Sequence, residues 1–243
     1  MIIRELGTNT YLTPQPDHAW ACGDLMPFIR PEFVEQEFEA ELLAAVRHHD
    51  DGWIEWEAEP QVDASGRPLN FLEVAKQDHV EMWRKGLERV RAAQGPFAGA
   101  LLTLHAESLF QDEMDADFGA HVAKRRMEWA REAMPGEDPV RRDWRLERAY
   151  CVLRLCDLLT LMPMAGWEGP VPSPLIDQQG RHHELVLRMT DDWELAIEGW
   201  PFAMNTLNVL VPTVCVETGA WQEALSELSA GRRRRQKVML FPA

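Results

Sequence analysis

The chain has 243 residues, 46% of them hydrophobic and 27% charged, with 25 Lys and Arg against 40 Asp and Glu for a formal net charge of −15 at pH 7. That length supports one substantial core, and the acidic balance argues against nucleic acid as the main partner, because a phosphate backbone needs a basic face. No apolar run approaches the roughly 20 residues of a membrane span, no secretory leader opens the chain, and the four cysteines form no CxxC pair, so a cytoplasmic, reduced protein is expected.

In chain order, "MIIRELG" reads as a short strand. "TYLTPQPDHAWACGDLMPF" then runs into a helix with Asp17 as N-cap and His18 in the first turn. "PEFVEQEFEAELLAAVRHHD" predicts a second helix, with Pro31 at N1 and Phe33, Phe38, Leu42, Ala45 and Val46 along one side. Gly52 supports an end to that helix, and "EAEPQVDASGRPLNF" is a loop. Four more helices are predicted, over about Leu72–Ala92, Pro96–Gln111, Asp115–Met134 and Pro139–Leu161.

The period then changes. "HHELVLRMTDDWELAIEGWPF" and "TLNVLVPTVCVE" alternate apolar and polar residues and predict two or three antiparallel strands, with His182 and His183 at a turn. "TGAWQEALSELSAG" is a short helix or turn, and Arg232–Arg235 open a solvated basic tail. The predicted fold is therefore mainly α. A helical bundle over about residues 15–163 carries a small C-terminal antiparallel β appendage over about 183–218, to which the strand at 1–6 can add, in a single domain 1–243. The edge of the appendage is a candidate surface for a homodimer.

Five places combine histidine or aspartate with apolar helical context: His18, the His49–Asp50 pair in "RHHDDGW", His79, His105 in "GALLTLHAESLF" and Asp157 in "CVLRLCDLLTLM". An ionisable group buried in such a helix is costly without a partner, which can be a metal, an arginine or a hydrogen-bond network. For Asp157 the nearest helical neighbour is Arg154, three residues back. His48 and Asp51 are read as solvent-facing. A lone histidine on an apolar helix is more often a hydrogen-bonded core residue, so the weight lies on the ordered set.

That order, H…HD…H…H…D on successive helices over roughly residues 15–160, resembles the HD superfamily of metal-dependent hydrolases. The resemblance implies an HD-like bundle in which His18, His49, Asp50 and Asp157 hold one metal. In two-metal members His79 and His105 complete a second site and Asp50 bridges. The words "QPDHAWACG", "AVRHHDDGW", "LLTLHAESLF" and "LRLCDLLTL", with "GWPF" near the end, are similar over nearly the whole chain to the bacterial family of domain of unknown function 3891, which brings no established substrate. Histidine and carboxylate donors suit divalent iron, manganese, nickel or zinc, one or two ions per chain. The implied reaction is hydrolysis of a small-molecule phosphoester by metal-activated water. Asp50 would act at the metal, and Arg47 and Arg154 are the candidate phosphate-holding groups. Two other readings fit the same residues: a di-iron HD-type oxygenase, and a non-catalytic binding or scaffold protein stabilised by its metal. Trp53 and Trp56 are candidate walls of the pocket.

Overall fold

Apolar residues at helical spacing dominate the middle of the chain and period-2 alternation its two ends. In the computed structural model, which describes residues 1–110 and 115–243, these become a helical layer packed on a large sheet. Strands β1 (Ile2–Leu6) and β2 (Asn9–Thr13) open the chain. Helices α1 (Gln15–Gly23), α2 (Glu39–His48), α3 (Ile54–Ala58), α4 (Lys76–Gln94), α5 (Pro96–Phe110), α6 (Ala116–Ala133) and α7 (Pro139–Ala165) follow. The chain closes with β3 (Val171–Pro172), β4 (Leu175–Ile176), β5 (His182–His183), β6 (Val186–Asp191), β7 (Glu194–Glu198), β8 (Leu207–Glu217), α8 (Trp221–Ser229) and β9 (Arg234–Pro242).

Seven strands form one mixed sheet in the order β1-β2-β8-β9-β7-β6-β3, while β4 and β5 make a separate two-stranded ladder. All neighbours in the large sheet are antiparallel except β7 beside β9, which run parallel. The expected fold, a mainly α bundle with a small β appendage, is thereby corrected: strand makes up 21% of the chain beside 52% helix. Two segments account for the difference. Asn9–Thr13 forms a second N-terminal strand that joins β1 to β8. The expected basic tail is β9, which lies inside the sheet between β8 and β7 with Val238 and Leu240 fully buried. Its run of arginines masked the alternation behind it: Arg232 pairs with Glu227 and Arg233 with Asp17, which frees the following residues to enter the sheet.

Local boundaries shift for similar reasons. Asp17 is not the N-cap of α1. Pro14 holds that position, and the Asp17 carboxylate accepts from Arg233 at 2.8 Å. The helix expected from Pro31 begins only at Glu39. The intervening chain is tied down by Glu35, whose buried carboxylate accepts from Arg145 (2.9 Å) and Arg148 (3.0 Å) of α7. His182 and His183 lie in β5 and not at a turn, and the expected helix end at Gln111 lies outside the described residues. Among the described residues no helix is long and apolar enough to cross a membrane.

Helix α7 positions the interior. Asp138 caps it by accepting from the Val140 and Arg141 amides, Pro139 fits the first turn, and Gly166 ends it with φ 71°. The helix runs between the other helices and the sheet, so a residue at its middle faces deep interior. Strand β8 serves both faces of the sheet. Leu207, Val209 and Val211 enter the main core, and after Thr213 the alternation switches so that Val214 and Val216 pack under α8 with Leu12, Ala224 and Leu228. If β9 is a core strand, Leu240→Ala lowers unfolding stability by about 2–5 kcal/mol, whereas Arg235→Ala on its exposed side changes it by less than about 0.5 kcal/mol. Urea denaturation of the two variants measures both, and a solvated tail would give two small values.

Candidate metal centre

Four segments deliver ionisable side chains to one point in the helical layer. Helix α1 carries His18, the C-terminal end of α2 carries His49 and then Asp50, α5 carries His105, and the middle of α7 carries Asp157. All five are at most 6% exposed. His18 Nε2 donates to Asp157 Oδ1 at 3.0 Å and lies 3.9 Å from Asp50 Oδ2. His49 Nε2 lies 3.3 Å from Asp50 Oδ2 and 3.6 Å from Asp157 Oδ1, and His105 Nε2 lies 3.9 Å from Asp157 Oδ2.

The outer atoms of two rings are fixed. His49 Nδ1 donates to the Val46 carbonyl at 2.8 Å, which turns Nε2 towards the carboxylates. His18 Nδ1 is bonded to the Thr160 hydroxyl at 2.8 Å, and Thr160 also meets Cys22 Sγ at 3.0 Å. A hydroxyl can donate or accept, so Thr160 holds the His18 ring in either tautomer.

The charges respond to one another. Burial pulls the His49 imidazole down, but Asp50 and Asp157 outweigh it and hold His49 well above its ordinary value. Burial pushes both carboxyls up, yet His49 and His18 keep Asp50 below the usual range, and His18, His49 and His105 keep Asp157 well below it. His105 goes the other way: burial brings it down to about 4. Burial also lowers His79 and raises the Cys22 thiol well above its ordinary value.

Three polar atoms in the cavity wall, His49 Nε2, His105 Nδ1 and Gln15 Oε1, are buried without a hydrogen-bond partner. His49 Nε2 is close to two carboxylates but meets hydrogen-bond geometry with neither. Buried polar groups are rarely left so. Donor atoms of His49, His105 and Asp157 lie within 4.8 Å of one another, as do those of His18, Cys22 and His49. The donor set and the unpartnered atoms thus fit a divalent cation.

The other expected residues are placed differently. His79 lines the same cavity but lies outside these donor groups, and its Nε2 accepts from the Trp83 indole at 3.3 Å. Arg47 points away: its guanidinium meets Asp24 at 3.3 Å and lies 4.8 Å over the Trp20 ring. Arg154 reaches the Pro172 carbonyl at 3.5 Å. Neither arginine lines the cavity, because each sits on the outward side of its helix. His48 pairs with Asp51 at 3.0 Å. Trp53 is a wall of the cavity, whereas Trp56 packs in a small cluster beside Trp53 and Met82.

Gly52 does not itself end α2, which stops at His48 with His49 as its C-cap. A Cβ at Gly52 would stand 2.5 Å from the Met82 carbonyl of α4, and one at Gly86 would stand 3.0 Å from the Gly52 backbone, so the two glycines let α4 press against the His49–Asp50 segment. Sequence reasoning missed Cys22, Thr160, Trp83 and Gln15. The first three were detectable as helical neighbours, at i+4 from His18, i+3 from Asp157 and i+4 from His79.

The cavity encloses about 50 Å³ and is walled by Trp53, Trp83, Phe71, Leu109 and Leu161. A water needs roughly 10–15 Å³, so a few small species fit. Tyr150, whose ring centroid is 6.1 Å from that of His105, also walls a more open groove of about 460 Å³.

Residues 1–218 match the family described as "Protein of unknown function (DUF3891)". No curated protein and no solved structure matches the chain. If Thr160 orients His18, Thr160→Val leaves the buried His18 Nδ1 unpaired and lowers the stability of the metal-free protein by about 1–3 kcal/mol. Chemical denaturation reads this directly, and a change below about 0.5 kcal/mol would show the hydroxyl to be dispensable.

Proposed function

We propose that this chain, which belongs to the DUF3891 family, is a divalent-metal-dependent hydrolase of the HD type, similar to that superfamily in the order of its donor residues and not in its sheet-backed architecture. The observation that supports this most is the convergence of His18, His49, Asp50 and Asp157 in the interior, with His49 Nε2 aimed between two carboxylates and hydrogen-bonded to neither. These four would hold iron, manganese, nickel or zinc, and His105 would complete the set or serve a second ion. When bound, the cation supplies Lewis acidity and brings the pKa of water towards neutrality.

The chain's own groups do the rest. The Val46 carbonyl and the Thr160 hydroxyl orient the two imidazoles, and changes to such outer partners typically cost about 10–100-fold in metal affinity or activity. Trp53, Trp83, Phe71, Leu109 and Leu161 keep bulk water away, which strengthens every electrostatic interaction inside. No lysine or arginine lines the cavity among the described residues. A doubly charged phosphate monoester would therefore face two carboxylates with no cationic side chain to receive it, and a neutral or singly charged ester suits the site better.

The same observation favours a second reading. A cavity of about 50 Å³, aromatic-walled and without a cationic side chain, also suits dioxygen, which points to a di-iron oxygenase. Iron near two per chain with oxygen consumption would select that reading.

Protein purified without added metal and then equilibrated with manganese is expected to hold one or two ions per chain and to cleave methyl p-nitrophenyl phosphate, a singly charged diester whose small methyl phosphoryl end is the part that has to enter the cavity. Asp157→Asn should keep the far-ultraviolet circular dichroism of the wild type while losing most of the metal and the activity together. Retention of metal by Asp157→Asn at the wild-type ratio would falsify the proposed ligand set.

A further inference from the structure

Among the residues that the sequence assigns to metal, His79 stands apart in its hydrogen bonding. Trp83, one turn further along α4, directs its indole Nε1 at His79 Nε2 across 3.3 Å. An indole N–H can only donate. His79 Nε2 therefore presents its lone pair to Trp83, and the ring proton sits on Nδ1. A ring in that state has no lone pair left for a cation, because one nitrogen's is engaged by the indole and the other nitrogen carries hydrogen.

The ring is also clamped. Trp53 and Phe110 flank it, each with its centroid 5.1 Å from that of His79. His79 nevertheless forms part of the wall of the cavity that holds His18, His49, Asp50, His105 and Asp157. Among the described residues its hydrogen bonding is confined to Nε2, and none of them accepts from Nδ1–H. The donor atoms that do converge need an acidic partner on the substrate side: with no lysine or arginine in the wall, an N–H is the chemistry available to receive a substrate oxygen.

We infer that His79 is a catalytic residue and not a metal ligand, a fixed Nδ1–H donor that meets an oxygen of the substrate in the cleft. This rests on the metal-hydrolase proposal above. The substrate class it serves is an ester or amide whose oxygen gains negative charge during attack. Loss of one such donor typically costs about 100–1,000-fold in rate.

Ring nitrogen NMR of histidine-labelled protein tests this without a known substrate. The His79 signals are assigned by their absence from His79→Ala, with His79→Asn, whose amide N–H stands near the Nδ1 position, as the second variant should the first fail to fold. The expected wild-type pattern is Nδ1 protonated and Nε2 unprotonated, both metal-free and zinc-loaded. Zinc per chain should be equal in wild type and variant. Trp83→Phe should let both tautomers appear. Formate, a small singly charged oxygen acceptor, should shift the His79 Nδ1 signal in the zinc-loaded protein.

Protonation at Nε2, loss of zinc in the His79 variants, or a Nδ1 signal unmoved by saturating formate would each overturn the inference while leaving the metal site intact. A wild type that takes up no zinc would instead overturn the metal-hydrolase proposal, and the catalytic role with it; the metal-free tautomer would then report only on the Trp83 clamp.

Discussion

Asp50 and Asp157 put two carboxylates into the interior of the helical layer, and the cationic partners beside them among the described residues are imidazoles. Burying an unpaired carboxylate costs several kcal/mol, so the surrounding structure has to answer that charge. The chain's own answer is His49, held well above its ordinary value by the two carboxylates. A divalent cation would take the same electrostatic place with more charge and would satisfy polar atoms that the chain leaves without partners.

The same fold contains a control for this argument. Glu35 is also a buried carboxylate, but there the chain supplies Arg145 at 2.9 Å and Arg148 at 3.0 Å from α7. Arginine is the ordinary way to stabilise a buried carboxylate when its job is architectural, because the guanidinium fork matches it geometrically. Arg145 and Arg148 stand only about three turns or less before Asp157 on the same long helix. At Arg145 and Arg148 the helix locks the 31–38 segment against the bundle. At Asp157 it offers a carboxylate to histidines from three other elements, with no arginine among them. The contrast, more than any single distance, sets the Asp157 cluster apart from a structural ion pair. The β-sheet serves the site at one remove: β1, β7 and β9 pack against α7.

Much of the candidate site was legible in the sequence because ligand-type residues in apolar helices stand out against their surroundings. His105 in "GALLTLHAESLF" and Asp157 in "CVLRLCDLLTLM" could not be solvated where they are, and both prove to be interior. Direction was not legible. Arg47 and Arg154 lie within a turn of the key residues, yet side chains three or fewer positions apart on a helix can point to different faces, and both arginines turn outward. His79 reaches the cavity, but its hydrogen bond to Trp83 depends on rotamers that periodicity does not encode. The sheet was underestimated for a different reason. β2 is interrupted early by Pro14, and β9 hides "VMLF" behind four arginines; strand pairing is a long-range decision, and only the assembled sheet reveals that β2 and β9 complete it.

The central claim is that one cation, at least, sits between His18, His49, Asp50 and Asp157. Anomalous diffraction from crystals grown with zinc, collected on both sides of the zinc edge, tests it most directly. The account predicts a strong edge-dependent peak within roughly 2.0–2.2 Å of the histidine nitrogens and carboxylate oxygens, with His79 still hydrogen-bonded to Trp83. Zinc bound only among surface carboxylates, with His49 and Asp157 unchanged and no peak between them, would contradict it.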